Sequence, residues 1–274
     1  MTIFTVLGAS GFIGRALVSW LRARGDDVTA VTRMDVPALL AARAPSGHVI
    51  DCIGLTADFR DRPLATADAH VGSVARFLGE LDFSSFLYLS STRVYARSDI
   101  AREDVALPVQ PAAPGDLYNL TKLAGEALCL SDRRGAVRVA RLSNVYGPGL
   151  GTDSFLGQVL AEGRATGAVT LRQGLRSAKD YVSLADVVPV LVGIAERGAA
   201  RLYNVASGTN TTHDAIIGVL TGQLNWRVEA AENAAAIRFP RIDITRMAFE
   251  FGTPAGRVLD DLPSLAHVAE TVGC

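Results

Sequence analysis

The stretch Thr2-Ile-Phe-Thr-Val-Leu-Gly8-Ala-Ser10-Gly11-Phe12-Ile13-Gly14-Arg-Ala-Leu17 decides how this chain is read. An apolar run with β-branched residues has the character of a buried parallel strand, and it stops at Gly8. From Phe12 onward the apolar residues fall at helical spacing: Phe12, Ile13, Ala16, Leu17, Trp20 and Leu21. Strand, glycine turn and helix, in that order, are the context in which spaced glycines point to a dinucleotide. Gly8 serves the tight turn, Gly11 lets the backbone approach a pyrophosphate, and Gly14 lets the helix sit close on the strand. The backbone around Ser10, Phe12 and Ile13, at the positive end of the helix dipole, then attracts phosphates. The spacing is G-x-x-G-x-x-G and not G-x-G-x-x-G, so this loop alone leaves open a glycine-rich turn that binds nothing.

The whole chain suits that opening. Its 274 residues suffice for one large α/β domain with a small appendage, and 49% hydrophobic against 20% charged residues fill a sizeable core. A formal net charge of -1 gives no reason to expect nucleic acid or an anionic membrane as partner. Cys52, Cys129 and Cys274 are scattered without metal-ligand spacing, which argues for a reducing compartment and against a metal site. No apolar run is long enough to span a bilayer and no cleavable leader is visible, so a cytoplasmic location is expected.

The first helix should end at Gly25, a good C-cap, and lead into the strand Val28–Thr32. The end of a second strand is where such proteins read the adenosine ribose: a carboxylate bonds the 2′-hydroxyl of NAD, an arginine accommodates the 2′-phosphate of NADP. Here the strand ends at Thr32-Arg33, with no carboxylate before Asp35. Arg33 therefore favours NADP(H) over NAD(H). A helix over Val36–Ala44 and a strand from Val49 through Gly54 leave no room for a further strand, which implies a sheet lacking one edge strand. Asp58 to Pro63 reads as a polar loop, Ala65 to Leu81 as a long helix, and Ser85 to Ser90 as a strand. Asp116 to Leu130 is helical, Ala136 to Leu142 a strand, and Ser143 to Gly149 a breaker-rich turn.

The chemistry centres on Ser91, Tyr118 and Lys122. Tyr and Lys at i, i+4 share one helix face. An ammonium beside a phenol favours the phenolate, so Lys122 is expected to lower the Tyr118 pKa. Such a tyrosine exchanges a proton with a carbinol or carbonyl while a nicotinamide exchanges the hydride. Lys122 would also bond the nicotinamide ribose, and the Ser91 hydroxyl would hold the reacting oxygen.

These segments together resemble the extended short-chain dehydrogenases/reductases, in particular the NAD(P)-dependent epimerase/dehydratase group that acts on nucleotide sugars. The resemblance covers nearly the whole chain. Gly8 to Gly14 is similar to the family's cofactor loop, Leu89 to Tyr95 to its serine-bearing strand end, and Tyr118-Asn-Leu-Thr-Lys122 to its Y-x-x-x-K. Arg141 to Pro148 resembles R-x-x-N-x-x-G-P, Lys179 to Asp186 resembles R-D-Y-[VI]-H-V-x-D, and Tyr203 to Gly208 resembles Y-N-[VIL]-G-x-G. The resemblance implies an α/β fold with a doubly wound parallel (Rossmann) sheet and a small C-terminal α/β substrate lobe. It divides the chain into a dinucleotide-binding part, residues 1–146, and a substrate part, 147–274, some of whose segments return to the first. Ser91, Tyr118 and Lys122 are then catalytic. Ile53 and Gly54 join the glycine loop and Arg33 around the cofactor, and Thr92, Arg93, Asn144, Arg176 and Lys179 face a nucleotide-diphosphate sugar. Members are often dimers, so a homodimer is a further expected partner.

The departures from the family pattern carry information as well. Thr32 replaces an acidic residue, Asp51 and Ile53 stand where His and Ala are usual, and His70 occupies the place of a helical asparagine. Lys179 replaces an arginine, keeping the charge but losing the bidentate fork. The 4,6-dehydratases need an Asp-Glu pair where this chain has Thr92-Arg93, and an arginine cannot act as general base. Dehydration is disfavoured, leaving ketoreduction or epimerisation. A reductase of a small carbonyl compound and a non-catalytic dinucleotide-binding regulator are the alternatives. His213, in Thr211-Thr-His-Asp, reads as a helix-entry residue.

Overall fold

Gly8 and Gly25 punctuate the first unit as their neighbours require. In the structure, a computed structural model describing residues 1–55, 58–230 and 236–267, strand β1 (Ile3–Leu7) runs into Gly8 at φ +73°, and helix α1 (Phe12–Arg24) ends on Gly25 in the left-handed region. Both conformations suit a residue without Cβ. There follow β2 (Asp27–Val31), α2 (Val36–Ala42), β3 (His48–Asp51), α3 (Pro63–Ala67), α4 (Ser73–Glu80), β4 (Ser85–Ser91), α5 (Asp116–Ser131) and β5 (Val137–Leu142). The second half holds β6 (Asn144–Tyr146), α6 (Phe155–Thr166), β7 (Ala168–Leu171), β8 (Ala178–Ser183), α7 (Leu184–Arg197) and β9 (Leu202–Val205). It ends with β10 (Asn210–Thr212), α8 (His213–Gly222), β11 (Arg227–Ala230), α9 (Thr245–Phe251) and α10 (Val258–His267).

Six parallel strands form the main sheet in the order β2-β1-β3-β4-β5-β9. The chain steps outward from β1 to β2 and then returns to the other side of β1 for β3, so the order reverses there. The crevice at the carboxyl ends of β1 and β3 is where such sheets take ligands. Only α2 separates β2 from β3, and β2 is the edge, as the short gap after Arg33 implies. Sheet and helices bury one apolar layer on each side. Leu17, Leu21, Leu191 and Ile194 lie in one core cluster, and Phe77, Phe86, Val137 and Cys129 in the other.

The lobe has its own core of Leu156, Leu160, Val169, Leu220, Leu262 and Leu265. It is built on β10-β8-β6 and β11-β7. Two sequence expectations change here. The span from Ser143 to Gly149 is not all turn: Asn144–Tyr146 pairs with Tyr181–Ser183 as a short parallel strand, because Val145 and Tyr146 have an apolar partner to pack on. The helix expected from Ala65 begins at Pro63 and is interrupted by a π-turn over Asp68–Gly72. Cys274 lies outside the described residues. No described helix is long and apolar enough to cross a membrane.

Candidate active site

The glycine turn meets β3 at close quarters. A Cβ on Gly8 would stand 3.0 Å from the Cys52 carbonyl carbon and 3.1 Å from the Ile53 nitrogen, and one on Gly14 only 2.3 Å from the Gly8 oxygen. The turn therefore has no space for side chains at Gly8 and Gly14. Gly11, the N-cap of α1, offers no side-chain cap, and Arg15 is the first amide bonded back, to the Gly11 oxygen at 2.9 Å. The amides of Phe12, Ile13 and Gly14 are left to whatever sits before the helix. Ser10 lends its carbonyl to the Arg15 guanidinium at 2.7 Å. These are the properties a pyrophosphate cradle needs, and the residues present fit one.

At the end of β2 the arrangement is richer than the sequence suggested. Asp35 folds back so that one carboxylate oxygen accepts from the Thr32 amide at 2.8 Å and the Thr32 hydroxyl at 2.6 Å. Those bonds, the hydroxyl's first, hold its pKa below the usual carboxylate range. Arg33 is exposed beside it.

Ser91 ends β4 and its hydroxyl caps the following 3-10 turn, Thr92–Tyr95, by accepting from the Arg93 amide at 3.1 Å. Tyr118 and Lys122 lie on the buried face of α5, 6% and 4% exposed. Their relation differs from the expectation. Burial raises the Tyr118 pKa, opposed by the Ser91 hydrogen bond and the Arg93 charge. Lys122 does not act on the phenol in this way, because its ammonium turns to the Leu89 carbonyl at 2.8 Å and lies 4.9 Å over the Tyr88 ring. Arg93, not Lys122, supplies the field.

Behind the phenol stands His70. Its ring meets Tyr118 edge-on at 5.2 Å, and Nε2 accepts from the Leu55 amide at 3.3 Å. Nδ1 then carries the proton and donates to the Thr121 hydroxyl at 2.9 Å. Burial, helped by the Lys122 charge, drives the imidazole pKa down to about 2, so the ring is neutral. Asp51 is fully buried, with one oxygen accepting from the Ile53 amide at 3.0 Å and the other without a partner among the described residues. Burial raises its pKa and lowers that of Lys122, while the attraction between the two opposes both shifts. Gly54 lies against His70 and Lys122: a Cβ there would stand 3.5 Å from both His70 Nε2 and Lys122 Nζ.

Toward the lobe, Arg93 and Lys179 come within each other's electrostatic reach. The Lys179 pKa is lowered to about 8, first by burial and then by Arg93. Lys179 Nζ sits 5.1 Å over the Phe155 ring, which stacks on His213 at 4.1 Å. Arg176 goes elsewhere, to a cavity of about 590 Å³ that it lines with Ala178, Thr212, Arg238 and Phe239. Asn144 donates to the Asp180 carbonyl at 2.8 Å, which ties β6 to β8. Thr92, the first residue of the 3-10 turn, is buried. His213 opens α8, whose cap is Thr212. The late arginines are committed to backbone: Arg241 to Gly208 at 2.7 Å and Arg246 to Leu202 at 2.6 Å. Sequence reasoning passed over Phe59. It is 2% exposed, 5.5 Å from the Tyr118 ring and 4.5 Å from the Arg60 guanidinium. An aromatic residue set between Asp58 and Arg60 in a strand-end loop was the available signal.

The comparisons with known proteins agree with this geometry. Residues 4–206 match the model of the family described as NAD dependent epimerase/dehydratase. The chain belongs to that family. A curated relative, a dTDP-6-deoxy-L-talose 4-dehydrogenase (NAD(P)(+)) of Kitasatospora kifunensis, is 29% identical over 260 residues, covering 83% of this chain and 80% of its own. Among solved structures, MoeE5 in complex with UDP-glucuronic acid and NAD superposes with a TM-score of 0.81 at 22% identity, over 96% of this chain and 97% of that one. The RMD protein of Pseudomonas aeruginosa complexed with NADPH gives 0.80 at 22%, over 99% of both chains. At these identities the two structures establish the fold. With family and relatives together, the cofactor is NAD or NADP.

Proposed function

We propose that this chain moves a hydride between NADP(H) and a ring carbon of a nucleotide-linked sugar, working chiefly as a ketoreductase, with Tyr118 as the proton-transfer residue. The observation that carries this reading is the buried Tyr118 phenol, with the Arg93 guanidinium 5.7 Å from its ring and the Ser91 hydroxyl, at the end of β4, bonding to it. Its support is the family membership and the relative named as a dTDP-sugar dehydrogenase.

When bound, the nicotinamide supplies or accepts the hydride. Everything else falls to the chain. The amides of Phe12, Ile13 and Gly14 bind the pyrophosphate at the end of α1. Lys122, held by Leu89 and buried, presents its remaining protons to the ribose. Ser91 orients the reacting oxygen. Tyr118 gives a proton from its Oη to a carbonyl oxygen during reduction, and takes it back from the carbinol in reverse. Burial keeps the phenol protonated, which suits the reductive direction. Arg93 and Lys179 attract the anionic substrate, and Arg93 in place of a carboxylate disfavours elimination of water. NADP is favoured because the Asp35 carboxylate is occupied by Thr32 while Arg33 is exposed and free to meet a 2′-phosphate.

The test is Tyr118→Phe, assayed with NADPH and a panel of keto-sugar nucleotides. Turnover should fall by roughly 10²- to 10⁴-fold while cofactor affinity is kept. Turnover near that of the wild type would remove Tyr118 from the reaction. Activity on small carbonyl compounds alone would replace the sugar nucleotide.

A further inference from the structure

Arg60 and Arg93 converge beside Tyr118, and neither has an ion-pair partner among the described residues, although the Asp116 charge acts on Arg93 from a distance. The Arg93 guanidinium lies 5.3 Å over the Phe59 ring and 5.7 Å over the Tyr118 ring, and Arg60 covers Phe59 at 4.5 Å. Both Nη2 atoms come within 3.7 Å of the point where a Cβ on Gly115 would stand. Aromatic faces therefore position these cations, and faces orient a charge without neutralising it. The nearby carboxylates are committed elsewhere, Asp58 to Arg62 at 3.0 Å and Asp116 to Arg97 at 2.7 Å. Arg93 Nε is buried and has no hydrogen-bond partner among the described residues, and its Nη2 reaches only the Gly115 carbonyl, at 3.4 Å. A desolvated guanidinium with an idle donor and a second guanidinium alongside costs free energy until an anion arrives.

Resting on the sugar-nucleotide reading above, the geometry points to a substrate whose sugar itself carries a carboxylate, a uronic acid, held by Arg93 with Arg60. Two features favour that group over the substrate's diphosphate. Arg93 packs against the Tyr118 ring, where the reacting sugar must lie, whereas Lys179 is the cation displaced toward the lobe, over Phe155. The planar fork of a guanidinium also matches a carboxylate, and sugar hydroxyls leave its charge unanswered. Phe59 and Gly115 complete the site: one supplies the face, the other the room.

Calorimetric titration with NADP⁺ present tests this, using UDP-glucuronic acid against UDP-glucose and the corresponding dTDP pair. Within a pair only the carboxylate differs. The wild type should bind the uronate about ten- to a hundredfold tighter, the span of a charge-assisted contact. Arg93→Met should reduce that ratio to a few fold. Arg60→Met, at an exposed position where folding is not at stake, should reduce it by a smaller factor. Equal affinity within the pair that binds, or an Arg93→Met variant that weakens both members equally, overturns the proposal and returns Arg93 to the diphosphate. Failure of every sugar nucleotide to bind while NADP⁺ does would overturn the sugar-nucleotide reading itself, and the carboxylate with it.

Discussion

Where α5 packs on β4 and β5, Arg141 makes paired contacts to Glu126 with the shortest at 2.6 Å, Ser90 donates to Glu126, and the Tyr95 hydroxyl joins Arg141 to Asn204. All these groups are buried and all have partners. At Arg93 and in the C-terminal half the pattern reverses: Arg93 Nε, the Tyr181 hydroxyl, Asn210 Oδ1 and both nitrogens of His213 are buried without partners among the described residues, as are Asn119 Oδ1 on α5 and Ser143 Oγ after β5. A folded chain rarely leaves buried polar groups unmet, and those it does leave call for an explanation. One network fixes α5 to the sheet. The other leaves donors, acceptors and the Arg93 cation unmet, as the proposed ligand site would require.

That contrast predicts opposite consequences for removing a charge. Glu126→Ala strands Arg141 in the interior and should cost about 3–5 kcal/mol, read as a drop in the urea midpoint with the slope unchanged. A loss below about 1 kcal/mol would mean the network is dispensable and the contrast false. Lys179→Met removes a cation whose only hydrogen bond among the described residues is a long one, 3.3 Å to Gln173. Stability should hold or rise, while KM for a sugar nucleotide should increase roughly tenfold, the loss of one charge-assisted contact. Equal damage to cofactor affinity would expose a folding defect and spoil the comparison.

Asp51 belongs to neither region cleanly, since one of its oxygens is met and the other is idle. Its charge supports the Lys122 ammonium, which burial otherwise depresses. If protonated Lys122 is required, kcat/KM falls as pH rises through the lysine pKa. Asp51→Asn removes the support, so this alkaline limb should move to lower pH. A limb that stays put, or moves up, would detach Asp51 from the reaction.

What the sequence made legible was local. The φ of Gly8, the C-cap at Gly25 and the i, i+4 spacing of Tyr118 and Lys122 follow from a few adjacent residues, and they placed the glycine turn and the helix that carries the Tyr–Lys pair. The missing edge strand was legible for the same reason, as too few residues between Arg33 and His48. The electrostatics was not. That Lys122 bonds Leu89, 33 residues away in sequence, and that Phe59 brings Arg60 to Arg93, depend on how loops close over the sheet. The pairing of β6 with β8 is likewise set across the lobe, and breaker residues in Ser143 to Gly149 mask it.

The smallest expected effect lies at the end of β2, and it tests whether a committed carboxylate and a free cation divide the work there as they do across the rest of the molecule. Asp35 is occupied twice over by Thr32, so a ribose 2′-hydroxyl finds no idle acceptor in the oxygen that faces that residue. Arg33 is exposed, and a guanidinium on a 2′-phosphate gains about 1.5–3 kcal/mol when well formed. Solvent screening and the freedom of an exposed side chain reduce that, so the expected preference for NADP over NAD is about a few fold. Arg33→Ala should abolish the preference and leave NAD binding as it was, because only the phosphate loses a partner. Calorimetry of both cofactors against both proteins at one ionic strength reads this directly, and raising the salt should narrow the wild-type gap while leaving the variant level. A wild type that binds NAD as tightly as NADP would show that Arg33 stays in solvent. Asp35 would then have to release Thr32 and serve the 2′-hydroxyl, and a redox-neutral epimerase retaining its NAD would become the better description.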